Sequence, residues 1–249
     1  MLNVHELADI YGLPENIVEE ELLRSLSLSL TNLFGYEVEA LLNDSGVVEL
    51  YSYPGSPGDL KVRNIPLSII GRPAIRRIQR DLTVSLVKKR ILRDYDLLQD
   101  LSGCVLEGMV AKAADQGPLF VRLYAEGPYG FLKNTLTGIC PFRRQTPRER
   151  GTYRPGEVLS FYVLKVLPIL ENGIPRIEIT LSRNTRGLVE GLLMKQLHKG
   201  PSIKNFKLRC IKRIAGAYAE VVSPAPLPPE AVKSVSDELK EYIRVVREG

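Results

Sequence analysis

The sequence predicts an α+β multidomain chain: an N-terminal α/β domain with a long basic helix, a central five-stranded β-barrel, and a C-terminal α-β-β-α-β unit. Three observations carry this reading. Apolar residues recur mainly at the helical period up to about residue 100, then alternate at the strand period of two for about 80 residues, then turn to a mixed pattern. Turn residues divide the central stretch into five short strands, the signature of a small barrel. The 249 residues are enough to bury a real core. Length alone suggests one or two domains, but two changes of period fit three modules better, near 1–100, 101–184 and 185–249.

The elements follow in order. A short helix over about 4–11 is followed by a longer one over 15–34, where Val18, Leu22, Leu26, Leu30 and Phe34 recur on one face. Pro14 suits its start and Gly35 its stop. Glu15, Glu19, Glu20 and Glu21 crowd its first turns, where the helix dipole favours negative charge. Residues 36–42 and 47–53 flank Asn43-Asp44-Ser45-Gly46, good chemistry for a β-hairpin turn. A short strand is expected around 60–67. The longest helix is expected over 73–99, with Pro73 in its first turn. Its predicted inner face is Ile75, Ile78, Leu82 and Leu86, then Val87, Ile91, Tyr95 and Leu98. Arg72, Arg76, Arg77, Arg80, Lys88, Lys89, Arg90 and Arg93 stud it, either as a solvated face or as a docking surface.

Strands are expected in 103–113, 119–125, 137–142, 157–168 and 175–183. Leu119, Val121 and Leu123 share one face of the second, and Phe120, Arg122 and Tyr124 share the other. The tail reads as a helix over 186–198, a hairpin (205–212 and 217–223) around Ala215-Gly216, a helix near 230–241 and a last strand over 242–246.

The net charge of +5 hides a polarity. Residues 1–59 hold one basic residue, Arg24, against eleven acids, a net −10; residues 60–249 hold 33 basic residues against 18 acids, a net +15. Such asymmetry suggests a basic part that meets a polyanion and an acidic part that meets something else. The three cysteines, at 104, 140 and 210, match no zinc or disulfide pattern and read as core thiols. No CxxC, HExxH, GxxxxGK[ST] or GxSxG occurs, and there are two histidines and no tryptophan. The expectation is therefore a non-enzyme with no cofactor, no metal and no small-molecule substrate. No run of 18 apolar residues is present and the N-terminus lacks a signal-like core, so no membrane is implied and a cytoplasmic location is expected.

The barrel residues resemble the ribosomal-protein-S1-type RNA-binding domain, an OB-fold. The marks are Gly103, Val105, Glu107, Gly108 and Val110 in the first strand; Tyr153, Pro155, Gly156, Glu157 and Val158 leading into the fourth; and Ile179, Leu181, Ser182 and Arg183 at the close. With its flanks, the chain resembles the bacterial transcription termination/antitermination factor NusA family, as a shortened member. The tail would then be a degenerate KH-like unit. A KH domain grips nucleic-acid backbone with a GxxG loop, and this chain has Ser223-Pro-Ala-Pro-Leu-Pro-Pro-Glu230 at that place. Its GxxG matches, at 55–58 and 127–130, lie elsewhere.

This resemblance implies a transcription elongation factor that docks on RNA polymerase through residues 1–100, with Glu19 and Glu20 as contact candidates. It would hold nascent single-stranded RNA to modulate pausing, termination or antitermination. Phe120 falls where the S1-type family carries an RNA-contacting aromatic. From the residues, the candidate RNA surface is Phe120, Arg122 and Tyr124, extended by Lys112, Lys133, Phe142, Arg143 and Arg144. Lys207 and Arg209 share one strand face in the tail, where Lys199, Lys204, Lys212 and Arg213 add positive charge. Two other readings stay open: a ribosome- or mRNA-associated factor in translation or RNA decay, and an interaction module whose nucleic-acid grip has decayed.

Overall fold

The computed structural model of the chain describes residues 3–43, 48–53, 63, 64, 66, 70–124, 136–198 and 207–247. It divides into two compact units: Met1–Asp94 with Leu170–Arg176, and Tyr95–Ile169 with Ile177–Gly249.

In the first unit, helices α1 (Val4–Tyr11) and α2 (Glu15–Phe34) precede an antiparallel sheet of order β1-β2-β3, formed by Glu37–Leu42, Val48–Tyr53 and Arg63–Asn64. Helix α3 (Arg72–Leu98) follows and runs into the second unit. Gly12 and Gly35 end the first two helices in the left-handed conformation, as C-caps do. Leu30, Val38, Ala40, Leu50 and Ile78 form one buried cluster; Ala8, Leu13, Val18, Leu22, Leu82 and Leu86 form another.

The polar residues of α2 have their own work. The amides of Val38 and Ala40 on the sheet edge donate to Thr31 Oγ1 and Ser27 Oγ, at 2.9 and 2.8 Å. An edge strand carries unpaired backbone groups, and the helix hydroxyls satisfy two of them. Glu21 departs from the expected acidic surface, being buried. It accepts hydrogen bonds from Ser85 and Arg24 and lies 3.2 Å from Lys89 Nζ. On α3 the predicted inner face also shifts: Ile75 is exposed, whereas Ser85 and Asp94 are buried.

In the second unit, β4 (Val105–Lys112), β5 (Leu119–Tyr124), β6 (Leu136–Cys140), β7 (Val158–Glu171) and β8 (Ile174–Ser182) close a barrel of order β4-β5-β6-β8-β7. The β6–β8 pair is parallel; β4–β5, β4–β7 and β5–β6 are antiparallel. Val110, Leu119, Val121, Leu123, Phe161, Val163, Ile179 and Leu181 fill it. The tail forms α4 (Arg186–His198), β9 (Arg209–Ile214), β10 (Tyr218–Ser223), α5 (Pro229–Leu239) and β11 (Tyr242–Arg247). Its sheet has the order β11-β10-β9, parallel between β10 and β11. One face packs on α4 and α5 through Leu188, Leu193, Ala219, Val221, Val235 and Ile243.

Helix α4 lies against the barrel through small residues. A Cβ on Gly187 would stand 2.4 Å from the Tyr162 ring, and one on Gly191 would stand 2.3 Å from Val105. These two glycines, one helical turn apart, allow the close approach.

Two buried ion pairs reinforce this joint. Arg183, with no exposed surface, donates from Nε and one terminal nitrogen to both oxygens of Glu149 at 2.9 Å. Its other terminal nitrogen donates to the Ser160 carbonyl at 2.8 Å, and Tyr153 donates to Glu149 at 2.8 Å. Arg213 and Glu241 form the second pair at 2.7 Å, with side chains 1% and 0% exposed. Arg213 also donates to the carbonyls of Thr185 and Arg183, the latter at 2.9 Å, so the pairs connect in series. Burial by itself would raise the Glu149 carboxyl, but Arg183 and the Tyr153 hydroxyl outweigh it and hold the group below its ordinary value of 4.5.

Of the three cysteines, Cys140 and Cys210 are buried, but Cys104 is exposed, contrary to the expectation of three core thiols. Burial pushes the Cys140 thiol up to about 12. Among the described residues no helix is long and apolar enough to cross a membrane.

Candidate nucleic-acid interface

The outward row of β5 is the strongest cluster of predicted site residues. Leu119, Val121 and Leu123 turn inward and are buried, which fixes the other three outward. Phe120 is half-buried on the wall, Arg122 is exposed and Tyr124 is 46% exposed. Alternate residues of a strand stand about 7 Å apart, comparable to the backbone repeat of an extended single strand.

The neighbouring strands complete the face. An irregularity in β4 between Val110 and Lys112 brings the exposed Lys112 opposite Phe120. Ile139 flanks Phe120 from β6, and Met109 and Thr137 flank Arg122. Tyr124 faces Glu107 across the strand pair. That acid would repel a phosphate, but Lys195 of α4 meets its carboxylate at 2.9 Å. Arg122 and Lys112 make no ion pair among the described residues. Arg143 is exposed in Phe142–Arg144, the first of two 3-10 turns that follow β6.

Other predicted residues sit differently. Phe142 lies beneath the Arg150 guanidinium, 4.5 Å from its ring centre, so one of its faces is already covered. Arg144 is half-buried, and its carbonyl accepts from the Arg183 amide at 2.9 Å. Lys133, and the GxxG match at 127–130, lie outside the described residues. In the tail, Lys207 and Arg209 are exposed while Cys210 is buried, the alternation the sequence implies. Lys212 is exposed, but Arg213 does not belong to that surface: its side chain is buried against Glu241. Lys199, Lys204, Phe206 and the His198 side chain lie outside the described residues. On α2, Glu20 is exposed and Glu19 half-buried.

Sequence reasoning missed Glu107–Lys195, because the salt bridge joins residues 88 positions apart. It also missed Tyr218 and Tyr242, cross-strand partners whose rings stack with centroids 6.1 Å apart. Among the described residues no group of three or more His, Cys, Asp or Glu is placed to hold a metal ion. Compared with known proteins, the chain matches no family model and no curated protein.

Proposed function

We propose that the chain is a non-enzymatic, RNA-binding transcription elongation factor. In this reading residues 1–100 dock on RNA polymerase, and the barrel and tail hold nascent single-stranded RNA, modulating pausing, termination or antitermination. The observation that carries the RNA half is the solvent-facing row Phe120–Arg122–Tyr124 with Lys112 beside it. Aromatic faces stack on bases at about 1–3 kcal/mol each, and cations follow the phosphates. The barrel's strand order, with its single parallel β6–β8 pair, supports an OB-fold reading, a scaffold that uses such a face for single strands. The α-β-β-α-β tail supports a degenerate KH-like unit.

The polymerase half rests on the resemblance and on the charge split of −10 against +15. Glu20 is available on α2 for a protein contact. Affinity capture from a bacterial lysate with the tagged full chain tests this half. Core polymerase enriched over ribosomes supports it; ribosomes enriched in its place would favour the translation or RNA-decay reading.

A further inference from the structure

The open face of the tail sheet carries a second constellation. Its strands place three cross-strand rows side by side. The first is Arg209–Val222–Val246, the second Lys212–Glu220–Arg244, and the third Ile214–Tyr218–Tyr242. The register shift at Glu220/Val221 sets these rows. It leaves Ile211 as an extra residue on β9, so Arg209 and Lys212 face outward together while Cys210 and Arg213 turn to the helices.

Two features of this face, its aromatic row and its cations, point to one kind of partner. Tyr242 is 68% exposed although its ring stacks on Tyr218 at 18° between planes, so an aromatic surface stands free in solvent. Three cations, Arg209, Lys212 and Arg244, accompany one acid, Glu220, which Arg244 approaches at 3.8 Å. A cleft of about 330 Å³ is lined by Arg148, Glu149, Thr152, Gly216, Leu239 and Lys240. Gly216 and Lys240 each stand two residues before a tyrosine of the aromatic row. Gly216 suits this place doubly: its φ is +81°, and a Cβ there would stand 3.0 Å from Thr146 and 3.1 Å from Arg148.

We propose that the outer face of this sheet is a second single-stranded RNA site, with a base stacked on Tyr242 and phosphates held by Lys212 and Arg244. It rests on the RNA-binding reading above and extends it to a surface the barrel does not supply. Aromatics on an open sheet that stack splayed bases are an established mode of single-strand recognition. The net positive charge separates this occupant from an apolar protein partner. Tyr218 is the buttress that holds Tyr242 upright, and Tyr242 is the stacking residue.

The chain has no tryptophan, which gives a direct test. In the full chain, Tyr242→Trp supplies the sole indole, placed at the proposed stacking position. Titration with an unlabelled 12-nucleotide oligouridine should quench its emission, with the affinity of the parent protein. Tyr242→Ala should weaken binding of the same oligomer, labelled for anisotropy, by at least about five-fold. Lys212→Ala with Arg244→Ala should reduce the log–log salt slope by about 1.4. An unquenched indole together with unchanged affinity of Tyr242→Ala would overturn this site. If Phe120→Ala/Arg122→Ala then weakens binding, the barrel reading survives alone. If Tyr242→Ala weakens binding and the barrel variant does not, the tail site stands and the barrel assignment falls.

Discussion

Two sets of arginines in one unit show opposite uses of the same side chain. At the joint of barrel and tail, Arg183 and Arg213 are buried, each forked onto a glutamate and onto backbone carbonyls. On the open faces, Arg122 is exposed without an ion pair among the described residues, and Arg244 has only a long contact to Glu220. The first set holds the fold; the second faces solvent. A basic composition therefore overstates the positive charge on the surface, because part of it is spent on closing the molecule. The same holds for acids: Glu20 is exposed on α2, whereas its neighbour Glu21 is buried among Ser85, Arg24 and Lys89.

The largest expected effect lies at the joint. Arg183→Met leaves Glu149 buried without its cation and should cost about 3–5 kcal/mol in urea unfolding. Replacing both partners, Arg183→Met with Glu149→Leu, should recover much of that loss, because the uncompensated charge goes too. A double variant as unstable as the single one would show that shape, not charge, matters there.

A smaller effect is expected where α4 meets the barrel. Gly191→Val places a side chain where even a Cβ would stand 2.3 Å from Val105. Overpacking of this kind should cost about 1–3 kcal/mol, read as a lowered Tm.

Acid should act on the same joint more gently. The Glu149 carboxyl is held below 4.5 in the folded chain. Its contribution is complete above that value and is lost as pH falls below it toward the folded pKa. Thermal unfolding between pH 7 and pH 3 should show Tm dropping below about pH 4.5. Glu149→Gln, which has no proton to take up, should flatten that part of the drop. The smallest effect on stability belongs to the exposed set: Arg122→Ala should change it by less than about 0.5 kcal/mol.

Much of the fold was legible because strong periods and caps agreed. The helix expected over 15–34 is Glu15–Phe34, between Pro14 and the left-handed Gly35. The five central strands and the α-β-β-α-β order of the tail match the expectation, although the first tail strand is Arg209–Ile214, later than the expected 205–212. The outward row of β5 was legible for the same reason: three buried aliphatics fix the other face. What escaped depends on single residues or distant partners. One inserted residue, Ile211, turns Arg213 inward, and period-two reasoning has no means to place a bulge. Ile75 keeps the helical period, but the inner face of α3 runs through Ala74 and Ile78 and leaves Ile75 exposed. The Arg183–Glu149 pair spans 34 positions, so neither residue marks the other. Gly187 and Gly191 did carry a local signal, two small residues four apart, that a helix was to approach a neighbour closely.

The measurement that bears most directly on the RNA-binding claim is the affinity of a short single-stranded RNA for the full chain and for Phe120→Ala/Arg122→Ala, over a salt series by anisotropy, with Tm taken alongside. The account predicts a variant that still unfolds cooperatively, its Tm lowered only by loss of the half-buried Phe120 ring, a Kd raised at least about five-fold, and a log–log salt slope shallower by about 0.7 for the one lost cation. Equal affinity and equal slope in the two proteins would contradict it.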